Sequence, residues 1–378
     1  MSDLIMNTYS RYPITLTHGD GMYVFDKAGK KYLDFGAGIA VNSLGHNHPV
    51  LTSAISEQAK KIIHISNLYW NEPQIELAEK LVANTPFDKV FFCNSGAEAV
   101  EGLIKISRKF GGGERFEIIA MEKSFHGRTT GSLAATGQTK YQKAFLPLLP
   151  GIVHVPLGDA EAIKAAITDK TVAVLLEPVQ GESGIHPATV EYLREVRKIC
   201  DENNLLLMFD EVQCGVGRTG ELFACQYFGV TPDAIATAKG LAGGVPIGMI
   251  MATKRADVLC AGEHASTFGG NPLATCAANV VIDELLGGIL DSVKENGKYL
   301  TEKLNALKSR NSKIVDVRGI GFMQGAELTV TAAEVIKKAM ENGLLLVGAG
   351  EKVVRFTPPL IAQKEHIDEM ISILENCI

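Results

Sequence analysis

The chain first alternates and then runs. Tyr23-Val24-Phe25-Asp26 and Tyr32-Leu33-Asp34-Phe35 flank a turn at Gly29 and predict an antiparallel hairpin. Glu72-Pro73 opens a helix, because proline suits a first turn, with Ile75, Ala78, Leu81 and Val82 expected on its apolar face. Beyond it the alternation gives way to short, uninterrupted apolar stretches at 90–92, 117–120, 172–176 and 205–209. Helical spacings separate several of them, such as Val190, Leu193, Val196 and Cys200 after Thr189. Apolar strands with intervening helices predict an α/β fold, its parallel sheet covered on both faces. Stretches 234–236 and 247–251 add two strands.

After about residue 272 the pattern changes. A helical tract leads to strands at 314–317 and 321–328, then to a helix ended by Gly343. A strand through Val353-Val354-Arg355-Phe356 follows, and a last helix sets Ile367, Met370, Ile371 and Leu374 on one face. That is a smaller α+β unit. The expected organisation is a segment 1–45 packing with the small unit, a large unit 46–272, and the small unit itself, 273–378.

Composition narrows the picture. With 378 residues, 46% hydrophobic and 21% charged, the chain is folded and large enough for two domains. A net charge of −6 with dispersed Lys and Arg gives nothing to attract nucleic acid or an anionic membrane. The seven cysteines form no C-x-x-C pair, which argues against a disulfide framework or a zinc cluster. His46 and His48 have the spacing of a metal pair, yet are expected to be structural. The opening MSDLIMNTYSRYP has neither a signal core nor an Arg-rich pattern, and no apolar run reaches the ~18 residues a bilayer needs. The expectation is a cytosolic protein.

Candidate chemistry collects where the strands end, which is where open parallel sheets bind ligands. Stretch 90–92 runs into Cys93-Asn94-Ser95-Gly96-Ala97 and a helix, so Ser95, Gly96 and Ala97 offer backbone N–H groups to a phosphate. The same residues also read as a plain serine cap with a tight glycine turn. Further ends carry Phe125-His126-Gly127-Arg128, Glu177 with Gln180 and Glu182, Asp210-Glu211-Val212-Gln213, and Ala238-Lys239-Gly240. Gly215-Val216-Gly217-Arg218-Thr219-Gly220 spells a dinucleotide fingerprint, but Asp210, Glu211 and Gln213 separate it from its strand. Lys239 also stands where the ribose-binding acid belongs. The glycines read as a turning loop. An aspartate at one strand end, a lysine one strand later, an aromatic plane and a phosphate cradle match pyridoxal 5′-phosphate chemistry. Lys239, isolated among small residues, suits a nucleophile whose pKa falls on desolvation.

These motifs resemble the class III pyridoxal-phosphate aminotransferases, which have the aspartate-aminotransferase fold (fold type I). The resemblance extends along essentially the whole chain, from Lys31-Tyr32-Leu33-Asp34-Phe35 through Leu44-Gly45-His46-Asn47-His48-Pro49 and Thr267-Phe268-Gly269-Gly270-Asn271-Pro272 to Arg355-Phe356-Thr357-Pro358-Pro359. It implies that Lys239 forms the Schiff base and moves protons, and that Asp210 pairs with the pyridine nitrogen. Gln213 is then expected on the ring 3-oxygen, Phe125 on the ring face, and Ser95-Gly96-Ala97 on the phosphate. Thr267 is expected to reach the phosphate of the other subunit of a homodimer with shared sites. Arg355 is expected to take the α-carboxylate of glutamate and Arg128 its side-chain carboxylate, each by a bidentate fork. Glu182 would cover Arg355 while an ω-amine donor is bound. Ile39, where ornithine-specific relatives carry tyrosine, together with Phe125-His126-Gly127-Arg128 favours N2-acetylornithine over ornithine as donor, and the paired Arg128 and Arg355 suit 2-oxoglutarate as acceptor. Cys214, where relatives often carry threonine, is read as a tolerated small residue. Other ω-amine donors, an aminomutase or decarboxylase, a non-catalytic relative and a nicotinamide dehydrogenase are the competing expectations.

Overall fold

The computed structural model describes residues 4–378; residues 1–3, at the start of the expected N-terminal segment, lie outside the described residues. A seven-stranded sheet occupies the centre, in the order Lys89–Cys93, Gly248–Ala252, Ala234–Thr237, Leu206–Asp210, Thr171–Leu176, Glu117–Met121, Ile152–Val155. Its pairings are parallel except around Gly248–Ala252, which runs antiparallel to both neighbours. All six apolar stretches expected as strands between residues 90 and 251 are in it. Ile152–Val155 was not expected. It is an edge strand with Val153 exposed, so it lacks the continuous apolar run that marked the others.

The central strands are apolar throughout because each face meets a different core. Along Leu206–Asp210, Leu207 and Phe209 enter one cluster while Leu206 and Met208 enter the other. Helix Gly96–Phe110 covers the second face with Val100, Leu103 and Ile104, and helix Val190–Glu202 contributes Leu193, Val196 and Cys200 to the first. The Thr189 side chain caps the latter helix by accepting the Tyr192 N–H at 3.1 Å.

The expected hairpin is present as Tyr23–Asp26 and Lys31–Asp34, extended by a third antiparallel strand, Leu16–Asp20. Lys31–Asp34 also pairs in parallel with Leu344–Leu345, which ties the N-terminal ribbon to the C-terminal part of the chain. There, Ile314–Ile320, Met323–Leu328, Val353–Phe356 and Val347–Ala349 form an antiparallel sheet. The last helix, Lys364–Glu375, buries Ile367, Met370, Ile371 and Leu374.

Two expectations need correction. In helix Glu72–Ala83 the buried residues are Leu77 and Leu81, while Ile75 and Val82 are exposed. The helix turns its 77/81 row to the core beside Pro272–Glu284, and Ile75 and Ala78 face an open cavity. The tract Pro272–Arg310 contains an 18-residue window of mean hydropathy 1.6, enough by length and composition to cross a bilayer. Here Ala274, Ala277, Ala278, Val281 and Ile282 are instead core residues packed on helices Pro49–Lys61 and Glu72–Ala83.

Urea unfolding tests the rotated face. Leu81→Ala should cost about 2–5 kcal/mol by opening a core cavity, whereas Val82→Ala should cost less than about 0.5 kcal/mol.

Candidate active site

The parallel strands deliver their last residues to one side of the sheet. A cavity of about 460 Å³ opens there, lined by Ser95, Gly96, Ala97, Phe125, Arg128, Asp210, Gln213 and Lys239 among others. Eight of the eleven expected site residues thus share one cavity. Glu182 and Arg355 join it through Gln213, and Thr267 lies outside it.

Asp210 ends strand Leu206–Asp210 and is buried, with both oxygens engaged. Oδ1 accepts the Val212 N–H at 2.9 Å, and Oδ2 lies 2.7 Å from Nδ1 of buried His126. Burial works against a charge on His126, but the Asp210 hydrogen bond and the Asp210 and Glu177 carboxylates outweigh it and raise its pKa. Glu177 holds the backbone around this pair. It accepts the Phe125 N–H at 2.8 Å and the Gly181 N–H at 3.3 Å, and burial raises its carboxyl above the usual range.

At the phosphate-cradle candidate, Ser95 caps helix Gly96–Phe110. Its hydroxyl accepts the Glu98 N–H at 3.2 Å and donates to Glu98 Oε2 at 3.1 Å. The cap reading and the cradle reading are compatible, because the first-turn N–H groups of Gly96 and Ala97 have no intrahelical acceptor. Gly96 is required sterically: a Cβ there would meet Val212 Cγ1 at 2.7 Å. That contact presses the helix N-terminus against the residue two positions after Asp210.

Lys239 follows strand Ala234–Thr237 with φ 37°, a left-handed conformation that costs a non-glycine residue about 1–3 kcal/mol. Its amine lines the cavity and makes no hydrogen bond among the described residues. Burial pushes the amine below its ordinary pKa; Arg355 adds to that, and Glu182, Asp210 and Glu177 pull the other way.

The two arginines are in opposite states. Arg128 is exposed at the mouth, its guanidinium 4.0 Å from the ring centre of Tyr141. Tyr141 in turn meets Phe125 edge-on at 5.8 Å. Arg355 is 1% exposed, and its Nη1 lies 2.6 Å from Glu182 Oε1 and 2.7 Å from Gln213 Oε1. Gln213 Nε2 donates to the same Glu182 oxygen at 3.2 Å, which closes a triangle. Burial alone would raise the Glu182 carboxyl, but Arg355 and Lys239, with the hydrogen bonds from Arg355 and Gln213, bring it below its ordinary value.

Thr267 is exposed on a second cavity of about 910 Å³ shared with Asn67, Tyr69 and Trp70. Ile39 is also exposed, and at φ 66° and ψ 61° it holds a conformation rare for a β-branched residue. Cys214 is buried, its thiol 3.8 Å from the Asp210 carbonyl. His46 pairs with Asp34 at 2.9 Å. The fingerprint glycines turn the chain, with φ 82° at Gly217 and 93° at Gly220, and the next helix is the short Ala224–Phe228. His126, Glu177 and Tyr141 received no role from the sequence. The first two stood in strand-end motifs, but Tyr141 gave no signal, because its place beside Arg128 comes from tertiary packing.

This geometry agrees with comparisons to known proteins. The family model for aminotransferase class-III matches residues 5–378. The chain belongs to the class-III aminotransferases. It is 52% identical to the acetylornithine aminotransferase of Caldanaerobacter subterraneus subsp. tengcongensis, over 99% of this chain and 97% of that protein. A crystal structure of N-acetylornithine aminotransferase from Stenotrophomonas maltophilia K279a superposes with TM-score 0.86 at 35% identity, covering 98% of this chain and 96% of the other. The ornithine aminotransferase of Toxoplasma gondii ME49 gives TM-score 0.93 at 29% identity, over 99% and 92%. Class-III aminotransferases have PLP fold type I and are pyridoxal-phosphate dependent. The donor set here fits that cofactor: an unbonded amine, a buried strand-end carboxylate and a helix N-terminus share one cavity.

The lowered Lys239 pKa leaves more free amine at neutral pH than an ordinary lysine has. In cofactor-free protein, acylation of Lys239 followed by mass spectrometry should therefore fall off at lower pH than that of exposed lysines. Glu182→Gln removes a charge that raises the amine pKa, so this variant should shift the profile further down.

Proposed function

We propose that the chain transfers the δ-amino group of N2-acetylornithine to 2-oxoglutarate in a ping-pong cycle, giving N-acetylglutamate 5-semialdehyde and glutamate. One observation carries this reading: Arg128 is exposed at the cavity mouth, stacked on Tyr141, while Arg355 is covered by Glu182. A donor entering amine first needs one carboxylate site, and an acceptor with two carboxylates needs both. The similarity to proteins named acetylornithine aminotransferase, about half of whose residues are identical, supports the choice of donor.

Pyridoxal phosphate, when bound, supplies the carbonyl that carries the amino group and a ring that accepts electrons. The chain's own residues do the rest. Asp210, held by His126, would keep a proton on the pyridine nitrogen, a charge-assisted contact of roughly 1.5–3 kcal/mol. Gln213 would serve the ring 3-oxygen, and Phe125 would cover the ring face. Ser95, Gly96 and Ala97 hold the phosphate. Lys239 would hold the cofactor through its amine and would serve as the acid–base that moves protons at the reacting carbon. Arg128 takes the α-carboxylate of the donor; Arg355, once Glu182 leaves, takes the α-carboxylate of glutamate while Arg128 takes its side-chain carboxylate.

The same reading makes the enzyme a homodimer in which Thr267 of each protomer completes the other's phosphate site. Exposed Leu68, Tyr69, Trp70 and Phe268 beside it suit such an interface. It also groups 1–45 with 273–378 around a cofactor-binding unit 46–272. Arginine biosynthesis in the cytoplasm is the corresponding setting.

A steady-state panel of donors tests the assignment. N2-acetylornithine should exceed ornithine and 4-aminobutyrate in kcat/KM by roughly tenfold or more, the equivalent of about 1.4 kcal/mol in the transition state. A higher kcat/KM for ornithine, 4-aminobutyrate or a succinylated donor would overturn the donor assignment. Lys239→Ala should lose roughly 100- to 10,000-fold in turnover, the usual share of a positioned acid–base.

A further inference from the structure

Arg218 is a buried charge without a countercharge among the described residues. It lies five residues after Gln213, is 2% exposed, and uses Nη1 to donate to two backbone carbonyls, that of Phe322 at 3.3 Å and that of Pro358. Burial pushes its guanidinium down to about 9, with no compensating carboxylate. A guanidinium kept from water and bound to carbonyls alone is costly, so what it holds is informative.

Both carbonyls stand at one end of one strand pair. Phe322 immediately precedes Met323–Leu328, and Pro358 lies two residues past Val353–Phe356. These strands are antiparallel, with Gln324 opposite Phe356 and Gly325 opposite Arg355. The loop backbone closes on the same end: the Phe322 N–H donates to the Arg218 carbonyl at 2.9 Å. A Cβ on Gly321 would meet that oxygen at 2.5 Å, so the approach depends on glycine there.

We propose that Arg218 is a positioning residue for acceptor recognition, fixing the strand that carries Arg355 against the loop that follows Asp210 and carries Gln213. The short Arg355–Gln213 contact, 2.7 Å, is the link whose geometry this clamp sets. A dicarboxylic 2-oxo acid must reach Arg355 and Arg128 together, so it depends on that geometry. A donor held through Arg128 alone does not. This inference rests on the reading of Arg355 as the acceptor's α-carboxylate site.

The test uses purified holoenzyme, with glutarate as an unreactive dicarboxylate probe. Arg218→Met keeps the apolar stem and removes the donors. It should raise the glutarate Kd and the KM for 2-oxoglutarate roughly 10- to 100-fold, as misplaced binding groups do. The single-turnover rate with N2-acetylornithine should change less than about threefold. Arg218→Lys should recover part of the loss, and it carries the same comparison if Arg218→Met does not fold. On an Arg355→Lys background, Arg218→Met should add less than about twofold, because the two act in series. Equal losses in both half-reactions would overturn the inference, as would full additivity with Arg355→Lys. So would unchanged glutarate binding in Arg218→Met when Arg355→Lys weakens it. If Arg355→Lys itself left glutarate binding unchanged, the reading of Arg355 would fail and the inference with it.

Discussion

The contact between Arg355 and Glu182 constrains the rest of the site. Arg355 is 1% exposed, while the Glu182 side chain keeps 23% of its surface. Removing the carboxylate from a guanidinium so deep, with nothing of like charge to replace it, costs about 3–5 kcal/mol. The carboxylate has the easier route to water. That asymmetry decides which partner moves: Arg355 stays, and Glu182 is replaced by a substrate carboxylate of the same charge. The exchange also preserves the field at Lys239, whose pKa is raised by Glu182 and lowered by Arg355.

The remaining groups are held with similar economy. Glu177 reaches the backbone of Phe125 and of Gly181, so one carboxylate connects the aromatic plane with the loop that bears Glu182. His126 sits between that carboxylate's field and Asp210. Lys239 keeps its left-handed backbone next to buried Gly240, Leu241 and Ala242, with the Gly240 carbonyl held by the Ser43 hydroxyl at 2.7 Å.

Much of this was legible in the chain because buried parallel strands write themselves as apolar runs. Once the strands at 172–176 and 205–209 were located, Glu177, Asp210 and their neighbours fell at strand ends. The edge strand Ile152–Val155 and the face of helix Glu72–Ala83 were not legible. Both depend on which neighbour covers them, and local pattern does not record that. The same limit hid Tyr141 under Arg128 and the reach of Arg218 to Pro358, contacts across 13 and 140 residues. The glycine fingerprint shows the converse: spacing alone suggested a dinucleotide, whereas the loop turns the chain and docks the C-terminal sheet.

The most direct measurement is the ratio of single-turnover rates with glutamate and with N2-acetylornithine, in the native enzyme and in Glu182→Gln. Uncovering Arg355 favours the substrate with two carboxylates, so the ratio should move toward glutamate by roughly tenfold or more, about 1.4 kcal/mol. A ratio that stays the same, or moves toward N2-acetylornithine, would contradict the account.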